Sequence, residues 1–221
     1  MESLPDDLVV EILGHVASSS LSDLFNAKLS CSSFKELAEE KLILRSVSLD
    51  TKASWKNPKK YASYFSDCLM AENPHACYLQ GLGDYFSENR IDSGLELLQK
   101  AVSLGHQEAT YLLGLIWFSC EATELQGIQL LNRLDNAKFK DANFEECQRR
   151  LKKNLREVFL NKRLCRRVIP CTKPNCRNNG TSGVLRRGEW TWEDRRDNNN
   201  SFCCQSCKWV IELNRFCDEF F

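Results

Sequence analysis

Cysteine is the residue type in this chain whose spacing suggests chemistry. Seven of the twelve cysteines lie in residues 165–221, and four of these form two close pairs, Cys171-x4-Cys176 and Cys204-x2-Cys207, separated by 27 residues. Each pair can offer two thiolates from one tight turn, and four thiolates are a usual ligand set of structural zinc. The spacing therefore predicts one structural zinc ion bound by Cys171, Cys176, Cys204 and Cys207.

The rest of the composition favours a metal over disulfides. The chain has no apolar run of about 18 residues that could span a membrane, and no basic segment followed by an apolar one at its start. We therefore expect a soluble intracellular protein, in the nucleus or the cytoplasm, where thiols stay reduced. The other five cysteines are scattered through apolar helical pattern, where a thiol behaves as a small hydrophobic side chain.

No arrangement of residues suggests an active site. The three histidines, His15, His75 and His106, are far apart within helical pattern, and none has a cysteine or serine nearby with supporting context. The chain also lacks a glycine-rich phosphate loop ending in Lys-Ser or Lys-Thr. The sequence therefore predicts a protein that binds and does not catalyse.

The elements around the cysteine pairs are expected to be a hairpin and a helix. Between the pairs, residues 183–192 (GVLRRGEWTW) alternate enough for a β-hairpin that turns at Arg187 and Gly188. Behind the second pair, residues 208–220 have the pattern of a short helix. We expect one side of this helix to cover the metal, through Trp209, Val210, Leu213 and Phe216.

The first helix of the chain has more apolar surface than one core can cover. Its apolar residues recur at every fourth position, with others beside them: Leu4, Leu8, Ile12 and Val16, widened by Val9, Val10 and Leu13. Ser20 with Asp23, and Ser33 with Glu36, have the spacing of caps that begin two more helices. A three-helix unit over residues 1–46 is small enough to need outside stabilisation, and we expect a partner protein to supply it.

The same segment resembles an F-box. The resemblance is carried by LPDDLVVEIL at residues 4–13, by the helix expected at residues 21–29, and by the short polar turn KLSCSSF at residues 28–34. It implies that the partner is the Skp-type adaptor of a cullin-based ubiquitin ligase, bound mainly through Leu4, Pro5, Leu8, Ile12 and Leu13. An ordinary three-helix cap on the following domain is the alternative.

Within residues 59–163, a pattern of residues recurs at an offset of 33 positions. The aligned positions are Ala76/Ala109, Tyr78/Tyr111, Leu79/Leu112, Gly81/Gly114, Gly94/Gly127, Leu97/Leu130 and Leu98/Leu131. Paired helices of this period, with small residues where the helices touch, describe an α-solenoid. The segment resembles Sel-one-like repeats, relatives of the tetratricopeptide type, with a degenerate third copy that begins near Ala142. Such a solenoid would offer a surface to a target protein, and the alternative is a rigid spacer.

A strongly basic helix is expected over residues 142–163. Seven lysines and arginines surround an apolar side formed by Phe144, Cys147, Leu151, Leu155 and Val158. Either the basic face is simply solvated or it binds phosphate. Aromatic residues are not interleaved with the basic ones, so sequence-specific recognition of nucleic acid is not favoured.

The tail resembles the cysteine-rich ends of some plant F-box proteins, which are loosely related to MYND-type zinc fingers. Cys203-x3-Cys207 matches the MYND spacing, which makes Cys203 the alternate ligand to Cys204. The tail has no histidine and fewer cysteine pairs than a MYND finger, so we expect a single zinc ion. A RING finger would need two full ligand sets, so the chain is not expected to recruit a conjugating enzyme in that way.

The predicted chain is mostly α-helical. It comprises a three-helix F-box at residues 1–46, a short α-solenoid of paired helices at residues 59–163, and a small C-terminal zinc-bound β-hairpin plus helix at residues 165–221. By resemblance, it is a non-enzymatic substrate-recognition subunit of an SCF-type cullin-RING ubiquitin ligase from a plant. It would bind the Skp-type adaptor through the F-box and a target protein through the repeats and tail, without a membrane partner.

Two other functions stay open. One is a zinc-containing nucleic-acid-binding protein that uses the basic helix at residues 142–163 and the tail. The other is a scaffold that binds the adaptor without directing degradation.

Overall fold

The computed structural model describes residues 4–49, 58–135, 144–158, 160–165 and 205–221. Within these ranges the protein is built from eleven α-helices and one short 3-10 helix, without strands. The chain divides into two compact units, Met1–Gln80 with Ser103–His106, and Gly81–Val102 with Gln107–Phe221. The division falls inside the helix Pro74–Phe86, whereas the boundaries expected from the sequence lie at residues 46, 59, 163 and 165.

The first unit contains a run of short helices. They are α1 (Asp6–Ser19), α2 (Leu21–Ser30), α3 (Ser32–Leu37), α4 (Lys41–Ser46) and α5 (Pro58–Met70). The prediction of three helices over residues 1–46 is wrong, because the third predicted helix is broken into α3 and α4. The amides of Glu39 and Glu40 donate three residues back, over 3.1 and 3.0 Å, which tightens the last turn of α3 and ends it.

Helix starts in this unit agree only partly with the predicted caps. The Ser20 hydroxyl accepts from the Asp23 amide over 3.2 Å at the start of α2, which confirms that cap. The predicted cap at Ser33 is wrong, since α3 already begins at Ser32, and the residue before it, the extended Cys31, makes no side-chain cap. At the start of α1, Pro5 occupies the position just before the first helical residue.

The core of the first unit extends beyond the predicted domain. Its buried members are Val9, Leu13, Ala17, Leu21, Leu24, Ala38, Ile43, Leu44, Val47, Leu49, Tyr64, Cys68, Ala71 and Ala76. Tyr64 and Cys68 come from α5, which sequence analysis assigns to the repeats. Burying one large aliphatic side chain stabilises by about 1.5–3 kcal/mol, so the added helix gives this small unit apolar burial that residues 1–46 lack by themselves.

Asn73 joins two ends of helices inside the first unit. Its side-chain carbonyl accepts from the amides of His75 and Ala76, both at 2.9 Å, and so caps α6 (Pro74–Phe86). Its side-chain NH2 is shared among the carbonyl oxygens of Leu44, Arg45 and Val47, at 2.8, 3.1 and 2.9 Å. Because Asn73 is completely buried, these bonds are shielded from water and hold the end of α4 to the start of α6.

The second unit contains the end of α6 and the helices that follow. They are α7 (Ile91–Ser103), α8 (Gln107–Phe118), α9 (Glu124–Asp135), α10 (Phe144–Arg156) and α11 (Gln205–Phe220). Helix α8 is central, because it packs against α9, α10 and α11, and ten of its twelve residues are buried. A helix that is apolar on all sides needs such cover.

Glycines allow the paired helices to touch, as the repeat predicts. A side-chain carbon added at Gly81 would lie 3.0 Å from Cγ of Leu98, and one added at Gly114 would lie 2.8 Å from Cγ of Leu131. These separations are shorter than ordinary van der Waals contacts. The same crowded contact therefore occurs twice, at positions that the repeat aligns, and the prediction that these glycines lie at close helix contacts is confirmed.

The partner glycine of each pair makes an equivalent contact. A carbon added at Gly94 would lie 2.7 Å from the amide nitrogen of Tyr85, and one added at Gly127 would lie even closer to the amide nitrogen of Phe118. Tyr85 and Phe118 are again related by the offset of the repeat. Since a backbone cannot move aside as a side chain can, these two positions tolerate only glycine in this packing.

The basic helix is shorter than predicted. It spans Phe144–Arg156, with Cys147, Leu151 and Leu155 buried, whereas the sequence predicts helix up to residue 163. Past its end, the Asn161 amide donates to the carbonyl of Phe86 over 2.8 Å, and the Asn161 side chain donates to the carbonyl of Ser87 over 2.7 Å. The hydrogen bonds of this segment thus go to the end of α6, which replaces the intrahelical pattern.

Among the described helices, none is long and apolar enough to cross a membrane.

Candidate functional site

Helix α1 and the residue Leu4 just before it carry an exposed apolar stripe on the first unit. Leu4, Leu8 and Ile12 are 52%, 47% and 53% exposed, and they follow each other at every fourth position. Val9 and Leu13, one residue further round the helix, are buried in the core of the unit. Two apolar stripes thus lie side by side here, and within the part of the chain that the structure describes only the stripe of Val9 and Leu13 is buried.

Four of the five predicted adaptor contacts lie on the surface. Pro5 is exposed beside Leu4 at the start of α1, next to the exposed acids Asp6 and Asp7. Leu13 is only 2% exposed and packs in the core, so in this structure it supports the helix and offers no surface. A spacing of four indicates both stripes equally well, so the periodicity alone could not show which one faces inward.

The exposed stripe is suited to binding and not to reaction. It offers aliphatic side chains that gain about 1.5–3 kcal/mol each when removed from water. The carboxylates of Asp6 and Asp7 lie at the positive end of the helix dipole, where negative charge is favoured. A partner that fits this surface would present an apolar groove.

The predicted zinc ligands lie mostly outside the described residues. Cys171, Cys176, Cys203 and Cys204 belong to that group, as does the hairpin expected at residues 183–192. Cys207 is described, and it is buried in the first turn of α11. Within the described residues, there is no group of three or more histidine, cysteine, aspartate or glutamate side chains that could hold a metal.

The C-terminal helix has a different contact surface from the one expected. The sequence predicts that Trp209, Leu213 and Phe216 cover a metal, with Val210 beside them. In the structure the first three are fully buried in the second unit, where α11 packs against α8 and α9, and Val210 is half-buried. The apolar side of the helix was recognisable from its period, but the helices that receive it lie far away in sequence.

Buried polar contacts fix this helix. The indole nitrogen of Trp209 donates to the Asn132 side-chain carbonyl over 2.9 Å. The Tyr111 hydroxyl donates to the Glu212 carboxylate over 2.6 Å, and the Gln148 side-chain amide donates to the same oxygen. Glu212 is almost completely buried, so these donors offset part of the cost of removing its carboxylate from water. Sequence reasoning missed this cluster, because its members come from separate helices.

Most of the basic residues on α10 are engaged by carboxylates. Ion pairs join Lys152 and Arg156 to Glu219 of α11, at 2.6 and 3.3 Å. Arg149 and Arg150 pair with Glu146 on the same helix, and Arg150 also lies 3.3 Å from a Glu108 oxygen. A face that already pairs with acids has less positive charge to offer phosphates.

Two of the histidines are not as far apart as the sequence suggests. The rings of His75 and His106 have centroids 5.4 Å apart, and Tyr78 stacks on His106 with centroids 4.6 Å apart. The expectation that these histidines are far apart is therefore wrong, since folding brings together residues from different helical repeats.

Two buried thiols are held in the unreactive form. Burial raises the pKa of the Cys68 thiol to about 12, and the neighbouring Asp67 carboxylate adds to the rise. Burial also raises the pKa of the Cys147 thiol to about 12, with Glu108 adding to it. Both thiols are protonated at neutral pH, which supports their interpretation as small hydrophobic side chains.

The middle of the chain is similar to a known family of repeats. Residues 49–156 match the plant tetratrico peptide repeats, and the match ends at the last residue of α10. The structure described above, with its duplicated glycine contacts at residues 81–131, lies inside this match. No solved structure matches the chain.

Curated relatives come from Arabidopsis thaliana. The chain is 32% identical over 133 residues to At1g67623, provisionally named an F-box protein, covering 60% of this chain and 45% of that one. It is 28% identical over 141 residues to F-box protein At2g35280, covering 62% of this chain and 85% of that one. It is also 32% identical over 125 residues to F-box protein At1g67340, covering 54% of this chain and 32% of that one.

The extent of these matches differs between relatives. The aligned part spans less than half of At1g67623 and about a third of At1g67340, but most of At2g35280. The chain is thus similar to plant proteins that are named F-box proteins, and its middle is similar to plant tetratrico peptide repeats.

Proposed function

We propose that this chain is the substrate-recognition subunit of an SCF-type cullin-RING ubiquitin ligase, without catalytic activity of its own. The observation that carries the proposal is the exposed stripe of Leu8 and Ile12 on α1 with Leu4 just before the helix, in a chain similar to plant F-box proteins. A Skp-type adaptor would cover this stripe, with Pro5 at its edge. The adaptor would link the chain to a cullin in the nucleus or the cytoplasm.

The second part of the proposal concerns the target. The repeats, which are related in our interpretation to Sel-one-like repeats, would hold a target protein so that ubiquitin is transferred by proximity. Stacked helical repeats commonly offer extended surfaces to protein ligands. The duplicated helix contacts at Gly81 and Gly114 support such a stacked array.

The adaptor contact can be tested with one charge. Leu8→Asp places a carboxylate in the proposed interface, where burial of an unpaired charge is costly, so we expect adaptor affinity to fall by about 100-fold or more. The measurement is binding of a purified Skp-type adaptor to the full chain by calorimetry. The adaptor should still bind a Leu125→Asp variant, because Leu125 is equally a surface leucine, 76% exposed, but lies on α9.

Two results would contradict the F-box proposal. One is an adaptor that binds wild type and Leu8→Asp equally well. The other is a wild-type chain that is folded, as judged by circular dichroism, and yet binds no Skp-type adaptor.

We also propose one structural zinc ion in the tail. Cys171, Cys176, Cys204 and Cys207 would bind it, with Cys203 as the alternate to Cys204. The residue types fit, because thiolates are preferred zinc ligands, and Cys207 lies in the first turn of α11, where the helix dipole favours a thiolate. When bound, the ion would supply folding free energy to the tail.

Elemental analysis of the full chain tests the zinc proposal. We expect about one zinc per chain in protein purified without added metal, and loss of that zinc in Cys176→Ser. Cys165→Ser is the matched control, since Cys165 is an exposed cysteine outside the proposed ligand set, and it should retain the metal. A wild-type protein free of zinc would rule the site out, and so would equal zinc content in both variants.

A further inference from the structure

The second unit has a surface whose occupant belongs to the same chain. Trp209, Glu212, Leu213 and Phe216 are buried side chains of α11, and they follow each other at positions i, i+3, i+4 and i+7. This is the spacing by which an amphipathic helix fills a groove in a partner protein. The helices α8, α9 and α10 receive α11 through a surface that we call the receiving face: Tyr111, Asn132, Asp135, Gln148, Lys152 and Arg156.

The receiving face selects a register as well as a shape. Glu212 is buried and accepts from both Tyr111 and Gln148, while the Trp209 indole donates to Asn132. A helix shifted by one residue would leave a buried carboxylate without these donors, which is costly. The face therefore matches a helix that carries a carboxylate flanked by large apolar side chains.

Charge at the two ends of the face selects a direction. At the start of α11, Lys208 pairs with Asp135, and near its end Glu219 lies 2.6 Å from Lys152 and 3.3 Å from Arg156. A helix bound in the reverse direction would place like charges together at both ends. Opposite charges at opposite ends thus specify orientation more than they add affinity.

We propose that the receiving face is a recognition site for an amphipathic helix, that α11 occupies it in cis, and that a partner protein binds by replacing α11. The partner helix would present tryptophan, glutamate, leucine and phenylalanine at the spacing of residues 209, 212, 213 and 216, with a basic start and an acidic end. This inference rests on the proposal that the repeats hold a target, and it names the class of target segment.

A tethered occupant sets a threshold for the partner. Linking a helix to its own site gives it an effective concentration on the order of millimolar. A free helix of similar affinity at micromolar concentration would therefore remain unbound. The partner must either bind more tightly than α11 or meet a chain in which the docking of α11 has been weakened.

Weakening α11 while leaving the receiving face intact provides the test. The double substitution Trp209→Ala/Glu212→Ala in the full chain changes only side chains of the occupant. The probe is a fluorescently labelled peptide with the native sequence of residues 205–221, and binding is measured by anisotropy. We expect the double variant to bind the peptide at least about tenfold more tightly than wild type, because the competing helix in cis is weaker.

Two controls assign the binding to this face. A Leu125→Ala chain loses a large apolar side chain from an exposed position of α9 and should bind the peptide as weakly as wild type does. Adding Tyr111→Phe to the double variant removes the hydroxyl that donates to Glu212, so it should weaken binding of the native peptide. It should not weaken binding of a peptide that carries Glu212→Ala.

The remaining outcomes overturn the proposal. A folded double variant that does not bind the peptide would show that the face accepts no helix in trans. If the double variant loses cooperative thermal unfolding, the milder Lys208→Ala/Glu219→Ala variant is used in its place. Loss of cooperative unfolding in this variant too would contradict the proposal, because α11 would then be a permanent part of the core. None of these measurements involves the adaptor, so failure here is distinguishable from failure of the F-box proposal.

Discussion

At the scale of single residues, Asn73 has several defined roles. It caps α6 through its side-chain carbonyl, and its NH2 group satisfies carbonyl oxygens at the end of α4. Asn73→Ala should remove the cap, at about 1 kcal/mol, and leave buried carbonyls with fewer donors, at about 1–3 kcal/mol. We expect a total loss of roughly 2–4 kcal/mol in the free energy of unfolding, measured with urea.

A matched asparagine serves as the control for this loss. Asn26 is exposed on α2, and Asn26→Ala should change the free energy of unfolding by less than about 0.5 kcal/mol. Equal stability of the two variants would mean that the buried hydrogen bonds of Asn73 contribute little. The dipeptide Asn73-Pro74 does suggest a helix start, but its bonds to residues 44–47 join positions too distant in sequence to predict.

A buried thiol and a buried phenol in the second unit predict a loss of stability at alkaline pH. Burial raises the pKa of Cys147 to about 12 from its ordinary 9.0, and that of Tyr85 to about 12 from 10.0. Raised values mean that the folded state keeps protons that the unfolded state loses. The contribution of these two groups to the free energy of unfolding is therefore fully present below about pH 9, and it is lost as the pH rises toward 12.

Urea midpoints measured at about pH 8 and pH 10 test this dependence. Wild type should lose more stability between these conditions than Cys147→Ala does, because the cavity left by the substitution has the same cost at both pH values. Cys31→Ala removes an exposed thiol and should show the wild-type dependence. A Cys147→Ala variant as sensitive as wild type would exclude this thiol as a cause.

At the scale of helices, the glycine contacts determine how closely each pair packs. Gly114→Leu must push against Leu131, which a carbon at position 114 would already approach to 2.8 Å. We expect a cost of about 1–3 kcal/mol from overpacking, seen as a lower melting temperature with adaptor binding unchanged.

Gly83 is the natural comparison for this substitution. It lies within α6, and a carbon added there would meet nothing within 4 Å. Leucine is a better helix former than glycine, so Gly83→Leu should raise the melting temperature or leave it unchanged. Equal effects at residues 83 and 114 would mean that the close contact in the pair is not what limits the substitution.

The sequence predicts local features of the helices better than their partners. The cap at Ser20 and the contacts at Gly81 and Gly114 follow from short spacing or from an internal repeat, and the structure confirms them. The break between α3 and α4 was missed, because residues 38–40 keep a helical pattern while their hydrogen bonds tighten. The docking of α11 was missed because the period of its apolar residues shows which side is buried but does not show which helices it packs against.

At the scale of the whole molecule, equal numbers of acidic and basic residues hide an uneven distribution. The chain carries 30 lysines and arginines and 30 aspartates and glutamates, so its net charge gives no indication of a partner. Locally, the basic helix α10 meets acids of α11 and α8 at Glu219 and Glu108. The nucleic-acid alternative from the sequence analysis thus loses much of the charge on which it depends, although the tail at residues 166–204 lies outside the described residues.

The duplicated glycine contacts also bear on how such a chain can change its length. The contact between Gly81 and Leu98 is made again between Gly114 and Leu131. Successive copies of the repeat, which we call blocks, are therefore built in the same way. A gene duplication or deletion that respects this period would add or remove a complete block without requiring a new kind of junction. The number of blocks is then a heritable variable, and the reach of the array can be altered in whole steps while each junction keeps its chemistry.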